Sequence, residues 1–275
     1  MSANDSRQIY AGAAWSLDEL RRGLAVKRLG GNFHYFPELD STNTYARQLA
    51  EDGAREGEIV IAEAQTQGRG RLGRRWQSPP FANLYFSVIL RPQLPPAQAP
   101  QITLTAAVAL AETIASLIAQ PATIKWPNDI LVHGKKLAGI LTEASCDAQR
   151  VHYVILGIGV NLNYRVAAMP DEIRAHATSM AELTGQSLHR ESFLRRLIQG
   201  LDRCYGELEE SGFAQLAPRW EAHFGLRGKR VRVKLLDQIV TGRAIGIDKE
   251  GALLIEDERG ARQRVLAGDV IPVEN

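Results

Sequence analysis

Apolar positions recur along this chain with two alternating periods. Between residues 15 and 29, Leu17, Leu20, Leu24 and Leu29 stand among charged residues, which predicts an amphipathic helix. Residues 42–51 read as a second helix. Residues 58–65 read as a strand, with residues 83–90 as its antiparallel partner. A proline-rich connection over 92–100 leads into a long apolar helix over 102–118, which must stop before Pro121. Strands follow near 123–125, 130–132, 137–144 and 151–162, then helices over 191–209 and 213–224. Strands mixed with segregated helices make an α+β layer fold.

Near Gly225 and Gly228 the pattern changes. Val231, Val233 and Leu235 alternate strictly with Arg232 and Lys234. Short strands then recur to about residue 273, divided by Gly and Asp. This predicts a small barrel of about five strands. The expected division is a large domain over 1–225 and a small one over 226–275.

Composition narrows the function classes. The 275 residues carry 33 basic and 31 acidic side chains, a formal charge of +2, so no global field favours nucleic acid. The apolar run over 102–118 is too short and too polar to span a membrane, and residues 1–10 lack a signal-peptide core. Cys146 and Cys204 form no C-x-x-C pair. The cytoplasm is therefore the expected compartment, without membrane attachment. The six histidines show no metal-ligand spacing, and no P-loop is present, so any ATP is bound by other means.

The chemistry concentrates in Gly68-Arg69-Gly70-Arg71-Leu72-Gly73-Arg74-Arg75-Trp76, where four arginines and three glycines end on a tryptophan. Glycines let backbone close around a ligand, and guanidinium forks match carboxylate and phosphate oxygens. The glycines satisfy G-x-G-x-x-G, but Pro79 and Pro80 follow where a fingerprint helix should open, and no acid stands near residue 93 to hold a ribose. A dinucleotide site is excluded. A basic loop that touches nucleic acid nonspecifically stays open on this stretch alone.

Three further motifs follow. Lys125-Trp126-Pro127-Asn128-Asp129 places an amide and a carboxylate on a proline turn between strands. Lys135-Lys136-Leu137-Ala138-Gly139-Ile140-Leu141-Thr142-Glu143 is a lysine-headed strand whose glycine suggests close approach of a ligand. Gly157-Ile158-Gly159-Val160-Asn161-Leu162-Asn163 ends an apolar strand. Each alone also fits an ordinary turn or buried strand. Leu39-Asp40-Ser41-Thr42-Asn43-Thr44, before the second helix, reads alone as a plain N-cap.

In this order the motifs resemble the catalytic core of biotin protein ligases, from about residue 36 to 163 and more loosely to the C-terminus. The resemblance implies a mixed or antiparallel sheet with segregated helices, as in class II aminoacyl-tRNA synthetases, plus an SH3-like C-terminal domain. It implies ATP-dependent activation of biotin to biotinyl-5′-AMP, then transfer to a lysine of the biotin carboxyl carrier protein.

By the same resemblance Lys136, Arg71 and Asp129 are the expected catalytic groups. Ser41, Thr42, Asn43, Gln65, Gly68, Arg69, Gly70, Arg71, Lys136, Gly139 and Gly157 are expected at biotin, with Trp126 as apolar wall. Arg71, Arg74, Trp76, Asn128, Asp129, Lys136 and Asn161 are expected at ATP, and Asp129 at Mg²⁺. Arg75 is expected to face solvent. Only 40 residues precede Ser41, so a repressor-type DNA-binding module and sequence-specific DNA binding are not expected. Exposed strand edges would permit a homodimer. A lipoate-protein ligase and a non-catalytic biotin sensor remain the alternatives.

Overall fold

The computed structural model describes residues 14–77, 79–235 and 238–273. The expected lack of a signal peptide in residues 1–10 falls outside them. Seven strands form the large sheet: β1 Asn32–Leu39, β2 Glu58–Gln65, β3 Leu84–Leu90, β4 Thr123–Lys125, β5 Asp129–Val132, β6 Lys135–Cys146 and β7 Val151–Val160. Their order is β1-β2-β3-β7-β6-β5-β4. Helices are α1 Leu17–Arg21, α2 Thr42–Glu51, α3 Pro100–Ala115, α4 Asp171–Arg174, α5 Met180–Thr184, α6 Arg190–Ser211 and α7 Phe213–Ala222.

β1 and β2 run parallel, and every other ladder of this sheet is antiparallel. A parallel pair needs a crossover, and α2 supplies it. β2 shows how the sheet is sandwiched. Ile59 and Ile61 enter the main core with residues of α3, α6 and α7, while Val60 enters a second core with Ala46 and Ala50 of α2. The period of two thus sorts apolar side chains to opposite faces, and helices cover both.

Five strands form the small sheet: β8 Arg230–Lys234, β9 Ile239–Ile247, β10 Leu253–Glu256, β11 Arg262–Val265 and β12 Asp269–Pro272, in the antiparallel order β11-β10-β9-β8-β12. On β8, Val231 and Val233 are buried while Arg230, Arg232 and Lys234 are exposed, as the alternation predicts. The buried side chains of this sheet continue into the main core. Several contacts fasten it, two of them at Gly251. Trp126 Nε1 donates to the Gly251 carbonyl at 3.1 Å, and Leu104 of α3 packs where a Cβ on Gly251 would stand.

Two expectations are corrected. The helix over 15–29 is only five residues long, because Gly23 at φ +76° turns the chain. Its leucines still pack: Leu20 and Leu29 are buried and Leu24 lies against the core. β1 was not expected, since Pro37 interrupts its pattern. A proline cannot donate to a ladder, but β1 is an edge strand, where this is tolerated. Among the described residues no helix is long and apolar enough to cross a membrane.

Candidate active site

Three glycines on adjacent strands make the floor of a cleft. Gly139 of β6 pairs with Gly159 of β7, and Gly157 lies two residues from Gly159 on the same face. A Cβ on Gly157 would stand 2.0 Å from Asn43 Oδ1. One on Gly159 would stand 2.6 Å from the Trp76 ring, and one on Gly139 3.1 Å from it. The floor exists because these strands carry no side chains there.

One wall is neutral and made of hydrogen-bonding groups at the start of α2. Ser41, Thr42 and Asn43 are buried and line the cleft. The Ser41 side chain makes no helix-capping bond, so the plain N-cap reading does not account for it. Gln65 Oε1 accepts from the Thr42 backbone N–H at 2.9 Å and from Thr42 Oγ1 at 3.2 Å. Ser87 of β3 reaches Thr42 Oγ1 at 2.8 Å and donates to Asn43 Oδ1 at 2.6 Å.

A second wall is cationic. Residues 68–76 fold back as a hairpin, in which Gly70 N–H donates to Arg74 O at 2.7 Å and Trp76 N–H to Gly68 O at 2.9 Å. Leu72 takes φ +56° at its tip. Three of the cations meet carboxylates. Arg69 lies 3.0 Å from Glu143, Lys136 Nζ lies 2.7 Å from Asp129 Oδ1, and Arg74 pairs with Asp269 of the small sheet. Arg71 differs: it donates to Asn128 Oδ1 at 3.1 Å and to the Gly268 carbonyl at 3.3 Å. Its partners are neutral, so its charge is offset only at longer range. Burial lowers its pKa from the ordinary arginine value, opposed by the charges of Asp129 and Asp269, and the group remains cationic. Lys136 Nζ also lies 5.3 Å from the Trp76 ring centroid, in cation–π range.

The cleft gathers most of the residues singled out from the sequence: Ser41, Thr42, Asn43, Gln65, Arg69, Gly70, Arg71, Trp76, Asn128, Lys136, Gly139 and Gly157 all line it. Asp129 reaches it through Lys136, and Gly68 sits behind it as the base of the hairpin. Arg74 is directed to the small sheet, and Arg75 is exposed as expected, donating to the Thr66 carbonyl. Asn161 is held elsewhere: its amide donates to the Thr178 carbonyl at 3.1 Å and accepts from Asn83 at 3.3 Å, in a buried cluster. Trp126 is buried and lines a separate groove beside the small sheet.

Ser87, Glu143 and Gly159 belong to this constellation and were not anticipated. Ser87 carries no signal within an apolar strand. Gly159 did, because a period of two puts Gly157 and Gly159 on one face. Among the described residues no group of three or more His, Cys, Asp or Glu could hold a metal ion. The lone Asp129 carboxylate therefore fits only an ion carried mainly by phosphate oxygens.

Comparison with known proteins identifies the family. Residues 35–161 match the biotin/lipoate A/B protein ligase family, and residues 227–271 match the biotin protein ligase C-terminal domain. The bifunctional ligase/repressor BirA of Bacillus spizizenii is 37% identical over 255 residues, covering 93% of this chain and 78% of that protein. The biotin–[acetyl-CoA-carboxylase] ligase of Mycobacterium tuberculosis is 38% identical over 240 residues, covering 85% and 86%. The structure of Aquifex aeolicus biotin protein ligase with biotin and ATP superposes with a TM-score of 0.76 at 30% identity, covering 90% of this chain and all of that one. The chain belongs to the biotin protein ligases.

Proposed function

We propose that the protein is an ATP-dependent biotin protein ligase that works in two steps. In the first, a biotin carboxylate oxygen attacks the α-phosphorus of ATP, and the bond to the β-phosphate oxygen breaks. The products are biotinyl-5′-AMP and pyrophosphate. In the second, the ε-amine of a lysine on the biotin carboxyl carrier protein attacks the carbonyl of the mixed anhydride. The amine loses a proton, an amide forms and AMP leaves.

One observation carries this reading. Neutral hydrogen-bonding groups and cationic groups line one cleft over a single glycine floor. A cyclic urea needs both donors and acceptors, which Ser41, Thr42, Asn43 and Gln65 supply. A carboxylate approaching a triphosphate needs positive charge that is already in place. Lys136 bridges the carboxylate and the α-phosphate as a compact cation. Arg71 holds biotin or phosphate oxygens beside Arg69 and Gly70, Asn128 lies on the nucleotide side, and Arg74 takes the outer phosphates. Asp129 orients Lys136, and Trp76 covers the floor near adenine. Asn161 acts on the nucleotide indirectly, by fixing the chain after β7.

Mg²⁺ bound with ATP would neutralise phosphate charge, and Asp129 is the carboxylate that would share it. The first 225 residues form the substrate-binding domain, and residues 226–275 form the small domain that braces the arginine hairpin. The cytoplasm, where ATP and the carrier are found, is the proposed compartment.

ATP–pyrophosphate exchange tests the reading, run with biotin, with lipoate and with neither. Exchange that depends on biotin alone is expected. Exchange with lipoate would move the protein to the lipoate branch. No exchange despite biotin binding would make it a sensor.

A further inference from the structure

The motif that opens at Lys135 ends on Glu143, a carboxylate with no part in the chemistry above. Its Oε2 accepts two protons at once, from Asn43 Nδ2 at 2.7 Å and from the Arg69 guanidinium at 3.0 Å. Arg69 also donates to Thr44 Oγ1 at 3.3 Å. Glu143 therefore stands where the neutral wall and the root of the arginine hairpin meet.

Asn43 is 4% exposed, so the orientation of its amide is set by protein groups. Its second amide proton reaches the Leu141 carbonyl at 3.3 Å. With both protons given to β6, Oδ1 must face Ser87, which donates to it at 2.6 Å. A half-turn of the amide would set Oδ1 against a carboxylate and a carbonyl. The negative charge of Glu143 strengthens the bond that prevents this flip. Ser87 Oγ also lies 2.8 Å from the hydroxyl of Thr42, whose backbone N–H donates to Gln65 Oε1. One carboxylate thus fixes which side of the Asn43 amide presents oxygen and which presents hydrogen.

We propose that Glu143 is a positioning residue for biotin. It sets the Asn43 amide and the Arg69 guanidinium in the orientations that the ureido ring and its neighbouring anion require. The proposal rests on the ligase reading of the same cleft. An ion pair of purely structural effect would behave differently: a half-exposed pair contributes little to stability and would not single out one substrate.

The test is ATP–pyrophosphate exchange by the full-length protein with Glu143→Ala and Glu143→Gln. Glu143→Ala should raise half-saturating biotin at least tenfold, about 1.4 kcal/mol, with half-saturating ATP and the limiting rate within twofold of the parent. Glu143→Gln keeps an oxygen that can accept both protons and loses the charge. It should fall between the two, with at least a threefold rise, and it carries the test alone if the alanine variant does not fold. Half-saturating biotin within twofold of the parent in both variants would overturn the proposal. So would a parallel rise for ATP and biotin. If the parent shows no biotin-dependent exchange, the ligase reading fails and this proposal with it. Normal exchange by the parent with unaffected variants would remove this proposal alone.

Discussion

The Lys136 ammonium lies 2.7 Å from the Asp129 carboxylate, across the β5–β6 ladder at the edge of the glycine floor. The pair is partly solvated, with Lys136 35% and Asp129 15% exposed in their side chains. Such a lysine is held in place yet can still meet an arriving anion. Lys136→Ala should lower the limiting rate of biotin-dependent exchange by about 100- to 1,000-fold, the effect of removing one charge-stabilising group. Steady-state exchange at saturating biotin and ATP measures it. A near-normal rate would remove Lys136 from the chemistry.

The floor makes a second prediction. An alanine at Gly157 must displace the Asn43 side chain, which is buried and bonded to Ser87, Leu141 and Glu143. Gly157→Ala should weaken biotin binding by about 100-fold, or about 2.7 kcal/mol. Isothermal titration calorimetry reads the affinity, and circular dichroism checks that the variant stays folded. Tight binding would mean that biotin does not need the Asn43 position.

Arg74 separates binding from stability. It is 61% exposed and pairs with Asp269 at the surface. Exposed pairs contribute about 0–1 kcal/mol to stability, so Arg74→Ala should hardly move the thermal midpoint. Half-saturating ATP should nevertheless rise severalfold, and the rise should shrink as salt increases. Unchanged ATP dependence at low salt would leave Arg74 as a surface brace only.

The buried pair makes the opposite prediction. Arg190 and Glu63 are 5% and 3% exposed, and Glu63 also accepts from the Phe81 backbone N–H at 2.6 Å. Removing one partner strands a buried charge, at a cost of about 3–5 kcal/mol. Glu63→Ala should therefore lower the urea midpoint strongly, and Arg190→Met in the same chain should recover part of the loss. A loss below about 1 kcal/mol would show that water reaches the site.

What could be read from the sequence follows from what kind of signal each part carries. α2 and β2 have the bounds read from the sequence: α2 buries one face of its helix, and β2 is a short apolar run buried on both faces. The helix over 15–29 was overextended because leucine spacing records burial, while Gly23 decides the backbone. β1 was missed because Pro37 reads as a breaker until the strand is known to lie at an edge. In the site, residue types that are unusual together were legible: clustered arginines, in-strand glycines, a lysine before a glycine. Ser87 was not, because a serine in an apolar strand looks like any tolerated polar residue. Asn161 looked like a ligand group, and only the fold reveals that its amide is occupied by Asn83 and Thr178.

Arg71 lines the cleft, Arg74 follows it on the same hairpin, and both touch the turn into β12, through the Gly268 carbonyl and the Asp269 carboxylate. An anion that recruits these guanidinium groups draws on the same donors that fasten the small sheet. Occupancy of the cleft and the seating of residues 268–269 are therefore thermodynamically linked. A probe on the far terminal sheet would respond to nucleotide without touching it, and a partner that grips that sheet would retune the affinity for ATP in return.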